Sequence, residues 1–88
     1  MEAAAATMPL LKSMASTGNP ASVSDAGVGA LAARSAVLGA RLNVRINAAQ
    51  LHDRAKAEQL LARADAIAAE TLEAEAAVLA VVDEVLAR

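Results

Sequence analysis

Leu60-Leu61-Ala62-Arg63-Ala64-Asp65-Ala66-Ile67-Ala68-Ala69-Glu70-Thr71-Leu72-Glu73-Ala74-Glu75-Ala76-Ala77-Val78-Leu79-Ala80-Val81-Val82-Asp83-Glu84-Val85-Leu86 is the stretch that sets the fold class. Leu60, Ala64, Ile67, Thr71, Ala74, Val78, Val81 and Val85 recur at alternating steps of four and three, the spacing of a coiled-coil seam. Leu61, Ala68, Leu72, Leu79, Val82 and Leu86 widen that seam to a bundle-type face. No glycine or proline follows Gly39. One helix over residues 54–87 is therefore expected, about 50 Å long at 1.5 Å per residue. Such a rod is a packing element, and its acidic residues read as a solvated face.

Upstream, a second long helix is expected from Asp25 to about Gln50. Ser22-Val23-Ser24-Asp25 offers a capping box with Ser22 as N-cap, and Ser24 would serve equally. Asp25 then lies in the first turn, where the helix dipole favours a negative charge. At 100° per residue, Val28, Leu31, Leu38, Leu42 and Ile46 form a bulky apolar stripe, read as the core ridge. Beside it runs a small and polar stripe of Asp25, Gly29, Ala32, Ala36, Gly39, Ala40, Asn43 and Asn47. It reads as a face that another backbone, or a ligand, can approach closely. Arg34, Arg41 and Arg45 make a basic rim opposite. A break is expected within residues 47–54, capped by Asn47 with Gln50 or by Asp53. Thr17-Gly18-Asn19-Pro20 is the clearest turn, because Gly accepts positive φ and Asn-Pro initiates turns. Residues 2–16 read as a weaker helix that breaks near Met8, ahead of Pro9.

Composition narrows the function. The chain has 88 residues, no Phe, Tyr or Trp, no Cys, and a formal net charge of −2. Without aromatic rings there is no stacking platform for single-stranded nucleic acid, and the net charge gives no attraction to phosphate backbones. Without Cys, disulfides, thiolate metal sites and cysteine nucleophiles are excluded. No leader pattern and no apolar run of about 18 residues is present, so a cytoplasmic protein without a membrane span is expected. Alanine favours helix but buries little area, so a monomer of this size should be marginal and oligomerisation is the expected remedy. The basic middle (Arg34, Arg41, Arg45, Arg54, Lys56, Arg63) and the acidic end (Asp65, Glu70, Glu73, Glu75, Asp83, Glu84) should pair, as antiparallel helices or across a dimer.

Few residues offer chemistry. His52 is the only histidine; it reads as a solvated residue at a helix boundary in preference to a general base. No metal site can be built from it, with no second His and no compact carboxylate cluster near it. Gly27 and Gly29 lack the preceding strand and the following Lys-Ser/Thr of a phosphate loop, so close helix packing is expected there. Asp25, Asn43 and Asn47 stand out, because Asn competes with backbone bonding in mid-helix. Their alternatives are a helix–helix hydrogen bond, a cap for the next helix, or a ligand site.

The stretch Gly18-Asn19-Pro20-Ala21-Ser22-Val23-Ser24-Asp25-Ala26-Gly27-Val28-Gly29-Ala30-Leu31, followed by Gly39-Ala40-Arg41-Leu42-Asn43-Val44-Arg45-Ile46-Asn47, resembles the signature of the cyclodeaminase/cyclohydrolase family. Ala6-Thr7-Met8-Pro9-Leu10 is similar to a shorter segment of it. The resemblance covers the C-terminal part of a longer, wholly helical, dimeric domain; the N-terminal half has no counterpart in these residues. It implies cyclodeamination of 5-formimino-tetrahydrofolate to 5,10-methenyl-tetrahydrofolate with loss of ammonia, or hydrolysis of the methenyl compound. Both reactions pass between an amidinium-type cation and a tetrahedral carbon, and a carboxylate could stabilise the cation or move a proton. The resemblance thus suggests Asp25 as the catalytic carboxylate. It suggests Asn43 and Asn47 for the pterin edge or a water, and Arg45 for the anionic tail of folate. The substrate would be a tetrahydrofolate derivative, with no metal.

The expected fold is all-α, a long-helix bundle completed by dimerisation or by a partner chain. Residues 1–17 form a short helical segment, and residues 18–88 the C-terminal part of a cyclodeaminase/cyclohydrolase-like domain. The expected partners are a folate and either a second copy or the missing N-terminal half, with no nucleic acid and no membrane. The alternative function is a non-catalytic helical interaction and dimerisation module. A generic coiled-coil protein would account for residues 60–85 but not for the Gly and Asn pattern of 18–47.

Overall fold

Asn19 starts the long middle helix. Its Oδ1 accepts a hydrogen bond from the Ala21 amide at 3.0 Å, and Pro20 takes the first helical position, where a missing N–H costs nothing. The computed structural model describes residues 1–16 and 19–88, so the turn expected at Gly18 lies outside the described residues. Four helical segments follow one another: α1 (Glu2–Ala5), α2 (Met8–Ser16), α3 (Pro20–Ala49) and α4 (Arg54–Leu86). The expected cap at Ser22 or Ser24 is replaced by Asn19, and both serines lie inside α3. The expected break at Met8 falls at Ala6-Thr7, where the Thr7 hydroxyl donates to the Ala4 carbonyl at 2.7 Å. Pro9 then occupies the first turn of α2, a position proline tolerates.

The α3–α4 connection is short and sealed. Asp53 caps α4 by accepting from the Lys56 amide at 3.1 Å. Arg54 donates through one nitrogen to the carbonyls of Ala48 and Leu51, both at 3.2 Å, which satisfies orphan acceptors at the end of α3. His52 is exposed on this connection, as expected.

The two long helices run antiparallel, with Gly27 near Val82, Arg34 near Glu75 and Arg41 near Asp65. The molecule measures 54 × 16 × 14 Å. Helices α1 and α2 lie along the hairpin as a shorter third rod; Leu11 of α2 seats against Gly29, where a Cβ would meet its Cδ2 at 2.6 Å. Close packing thus accounts for Gly29. Gly27 makes only ordinary contact with Val82, and nothing lies within 4 Å of the Cβ position at Gly39.

The inward face of α3 is Val23, Ala26, Ala30, Ala33 and Val37. That corrects the core ridge expected from bulk: Val28, Leu42 and Ile46 are 64%, 59% and 59% exposed, Leu31 is exposed too, and Leu38 is half-buried. Small residues won the seam because they let two backbones approach closely along many turns, multiplying weak dispersion contacts. In α4 the expected seam holds at Ala64, Thr71, Val78 and Val85. Its other half is Ala57, Ala68 and Val82, with half-buried Leu61 and Glu75, and Leu60 faces outward.

Basic middle and acidic end pair within the chain, through Arg34–Glu75 at 3.4 Å and Arg41–Asp65 at 2.9 Å. The two bridges differ in environment. The Glu75 side chain is 13% exposed and its Oε2 has no hydrogen-bond partner, whereas the Asp65 side chain is 59% exposed. Arg34→Ala strands a largely buried carboxylate and should cost about 1–2 kcal/mol. Arg41→Ala releases a solvated one and should cost under about 1 kcal/mol. Thermal melts of the two variants check this order; equal losses would show that Glu75 is not effectively buried.

Candidate functional site

Asp25, Asn43, Arg45 and Asn47 all lie on α3, an unbroken helix from Pro20 to Ala49. Asp25 and Asn43 are 18 residues apart, five full turns, so they project from the same side of the helix about 27 Å apart. One copy of the chain cannot bring both to one small ligand. Asn43 and Asn47, one turn apart, do sit together. Arg45 lies between them in sequence but points to another side.

All four side chains are exposed, and no described residue forms a hydrogen bond or ion pair with them. Neither asparagine makes the helix–helix hydrogen bond or the cap that were its structural alternatives; the cap of α4 is Asp53. The candidates therefore form an open polar strip beside the exposed leucine ridge. Among the described residues, no three His, Cys, Asp or Glu side chains come together as a metal site, and no helix is long and apolar enough to cross a membrane.

Part of the small stripe has an occupant. Gly29, Ala32, Ala33 and Ala36 line a shallow groove with Ala4, Thr7 and Leu11, so this portion of α3 receives the N-terminal rod. Beyond it, nothing lies within 4 Å of the Cβ position at Gly39, and Asn43 is exposed.

A family model described as formiminotransferase-cyclodeaminase matches residues 1–66 of the 88. The chain belongs to that family. This formiminotransferase-cyclodeaminase member carries Asp25, Asn43, Arg45 and Asn47 inside the matched stretch, together with α1, α2 and the first third of α4. The context is folate-related cyclodeamination. No curated protein and no solved structure matches the chain.

A second concave feature was not foreseen from the sequence. Ala5, Met8, Pro9, Lys12, Glu70 and Thr71 line a largely apolar groove of 360 Å³ between the N-terminal rod and α4. Thr71 is only 2% exposed, and its hydroxyl has no partner. The one signal in the sequence was a hydroxyl residue in a seam otherwise made of aliphatic side chains.

Proposed function

We propose that this family member serves one-carbon folate chemistry, closing 5-formimino-tetrahydrofolate to the 5,10-methenyl compound with loss of ammonia, or hydrolysing that methenyl compound. The observation that carries the reading is the family match over residues 1–66, which contains every candidate side chain. In the closure, N10 of the folate attacks the formimino carbon, a tetrahedral carbon forms, and the C–N bond to the leaving ammonia breaks. In the hydrolysis, water adds to the methenyl carbon and loses a proton, and the C–N5 bond of the resulting tetrahedral carbon then breaks, N5 taking the proton and N10 keeping the formyl group. Asp25, the carboxylate of the matched motif, is assigned the role of stabilising the cationic carbon or taking that proton. Asn43 and Asn47, with amide donors and acceptors one turn apart, suit the pterin edge or the attacking water. Arg45 suits the glutamate carboxylates of the folate tail.

A second reading, a non-catalytic helical interaction module, is favoured by the exposure of those four side chains in a single copy. The absorbance of methenyl-tetrahydrofolate separates the two. Added to the purified chain, it should fall faster than in buffer, and ammonia should be released from the formimino compound if closure is the reaction. No acceleration of either reaction would leave the interaction module as the function.

A further inference from the structure

Every candidate side chain for folate lies on α3, and the groove between the N-terminal rod and α4 is lined by none of them. Its walls are aliphatic, with Ala5, Met8 and Pro9 on one side and Ala74 on the other. Its volume, 360 Å³, falls at the lower end of the range of small-molecule sites. At the ~30 Å³ that a water takes in the liquid, this is room for an organic molecule of roughly ten non-hydrogen atoms.

One wall residue is out of keeping with the rest. Thr71 is 2% exposed, and its Oγ1 has no hydrogen-bond partner. A hydroxyl left so in an apolar seam is destabilising relative to the isosteric valine, which α4 already uses at Val78 and Val85 of the same seam. A helical threonine can return its hydroxyl to a carbonyl one turn back. Thr71 does not, so no bond fixes its χ1 torsion, and the side chain is free to present the hydroxyl to the groove that it lines. A water is a poor partner there. Away from the mouth, no other wall side chain ends in oxygen or nitrogen, and a buried water ordinarily makes about three polar contacts. The charges sit at the mouth. Lys12 of α2 and Glu70 of α4 are exposed there, and neither forms an ion pair with a described residue. They are of opposite sign, so a net charge on an occupant gains little from them, and the apolar walls penalise it.

We propose that this groove binds a small neutral aliphatic molecule carrying one hydrogen-bond-accepting oxygen, a ketone or an amide, with the Thr71 hydroxyl as its donor. The aliphatic body takes the space beside Ala5, Met8 and Ala74. Met8 is unbranched with three rotatable bonds, which lets the groove adapt to the shape of that body. The oxygen accepts from Thr71 and ends the isolation of that hydroxyl. The site does not depend on the folate reading, because it shares no residue with Asp25, Asn43, Arg45 and Asn47.

The test titrates two probes into the full purified chain, cyclohexanone and methylenecyclohexane, which share a shape and differ in the oxygen. Methyl NMR shifts read the binding. Cyclohexanone should move the methyls of Ala5, Met8, Thr71 and Ala74 saturably and leave those of Leu42 and Ile46, exposed on α3, in place. Thr71→Val should weaken cyclohexanone by about 2- to 10-fold, the share of one net hydrogen bond, and leave the hydrocarbon no weaker. Thr71→Ser, which keeps a hydroxyl, should weaken the ketone less than Thr71→Val does. Thr71→Val should also melt no lower than the wild type, so its loss of binding is not a loss of fold. Cyclohexanecarboxylate should bind more weakly than the ketone. No saturable shift in the groove, equal shifts at Leu42 and Ile46, or equal effects of Thr71→Val on the two probes overturns the proposal. So does a Thr71→Ser loss as large as that of Thr71→Val, or tighter binding of the carboxylate. Ketone binding that weakens as chain concentration rises also overturns it, because an apolar segment of another chain would then be the occupant.

Discussion

Ala30→Asp should abolish the helical signal and the cooperative melt of the chain, and Leu31→Asp should leave both in place. Ala30 is completely buried, in a core cluster that includes Ala26, Ala33 and Val82. A carboxylate there has no partner and no water, a penalty of several kcal/mol. A chain of 88 residues has roughly 4–13 kcal/mol of stability in all. Leu31 is one residue away and 47% exposed on the outer ridge. A charge at Leu31 reaches solvent, and the α3–α4 seam closes within one chain without it. Circular dichroism melts of the two variants check both effects. Loss of structure with Leu31→Asp and tolerance of Ala30→Asp would mean that the leucine ridge is the core after all.

The contrast between these neighbours shows where the sequence was readable. The existence of the two long helices and the extent of α4 followed from periodicity and from the absence of breakers after Gly39, while α3 begins at Pro20, ahead of the expected start at Asp25. Asp53 capping α4 was legible because cap chemistry is local. Asn19-Pro20 reads as a turn and Ser22 as the cap, whereas the folded chain uses Asn19 as the cap with Pro20 at the first helical position. The inward face of α3 was not legible, for a different reason. Both Leu31 and Ala30 lie on apolar faces, and a measure weighted by bulk selects the leucines. The choice was made outside α3: Ala26, Ala30 and Ala33 share one core cluster with Val78, Val82 and Val85 of α4 and with Met8 and Ala15 of α2, and those partnerships are invisible within α3 alone. Thr71 shows the same limit. Its place in the seam was read correctly, while the groove above it depends on where α1 and α2 come to rest.

The candidate site was legible only as a motif. Asp25, Asn43 and Asn47 were chosen because polar residues recurred on a small-residue face and resembled a family signature. The folded chain then kept them exposed and divided along one straight rod. A rigid helix cannot bend to join residues five turns apart, so a site using both ends of it must borrow one end from elsewhere.

Asp25→Ala and Asn47→Ala should both slow the folate reaction, and by different amounts. On the folate reading Asp25 is the carboxylate assigned to the reacting carbon, and the expected loss in turnover is about 10²–10⁴-fold, the usual range for a general acid–base group. Asn47→Ala removes an amide assigned to the pterin edge or the attacking water, and the expected loss is about 10²-fold, nearer the lower end for a stabilising donor. Activity is read from the absorbance of methenyl-tetrahydrofolate with each purified variant. An Asn47→Ala loss larger than that of Asp25→Ala would reverse the two assignments, and full activity of Asp25→Ala would remove the carboxylate from the chemistry altogether.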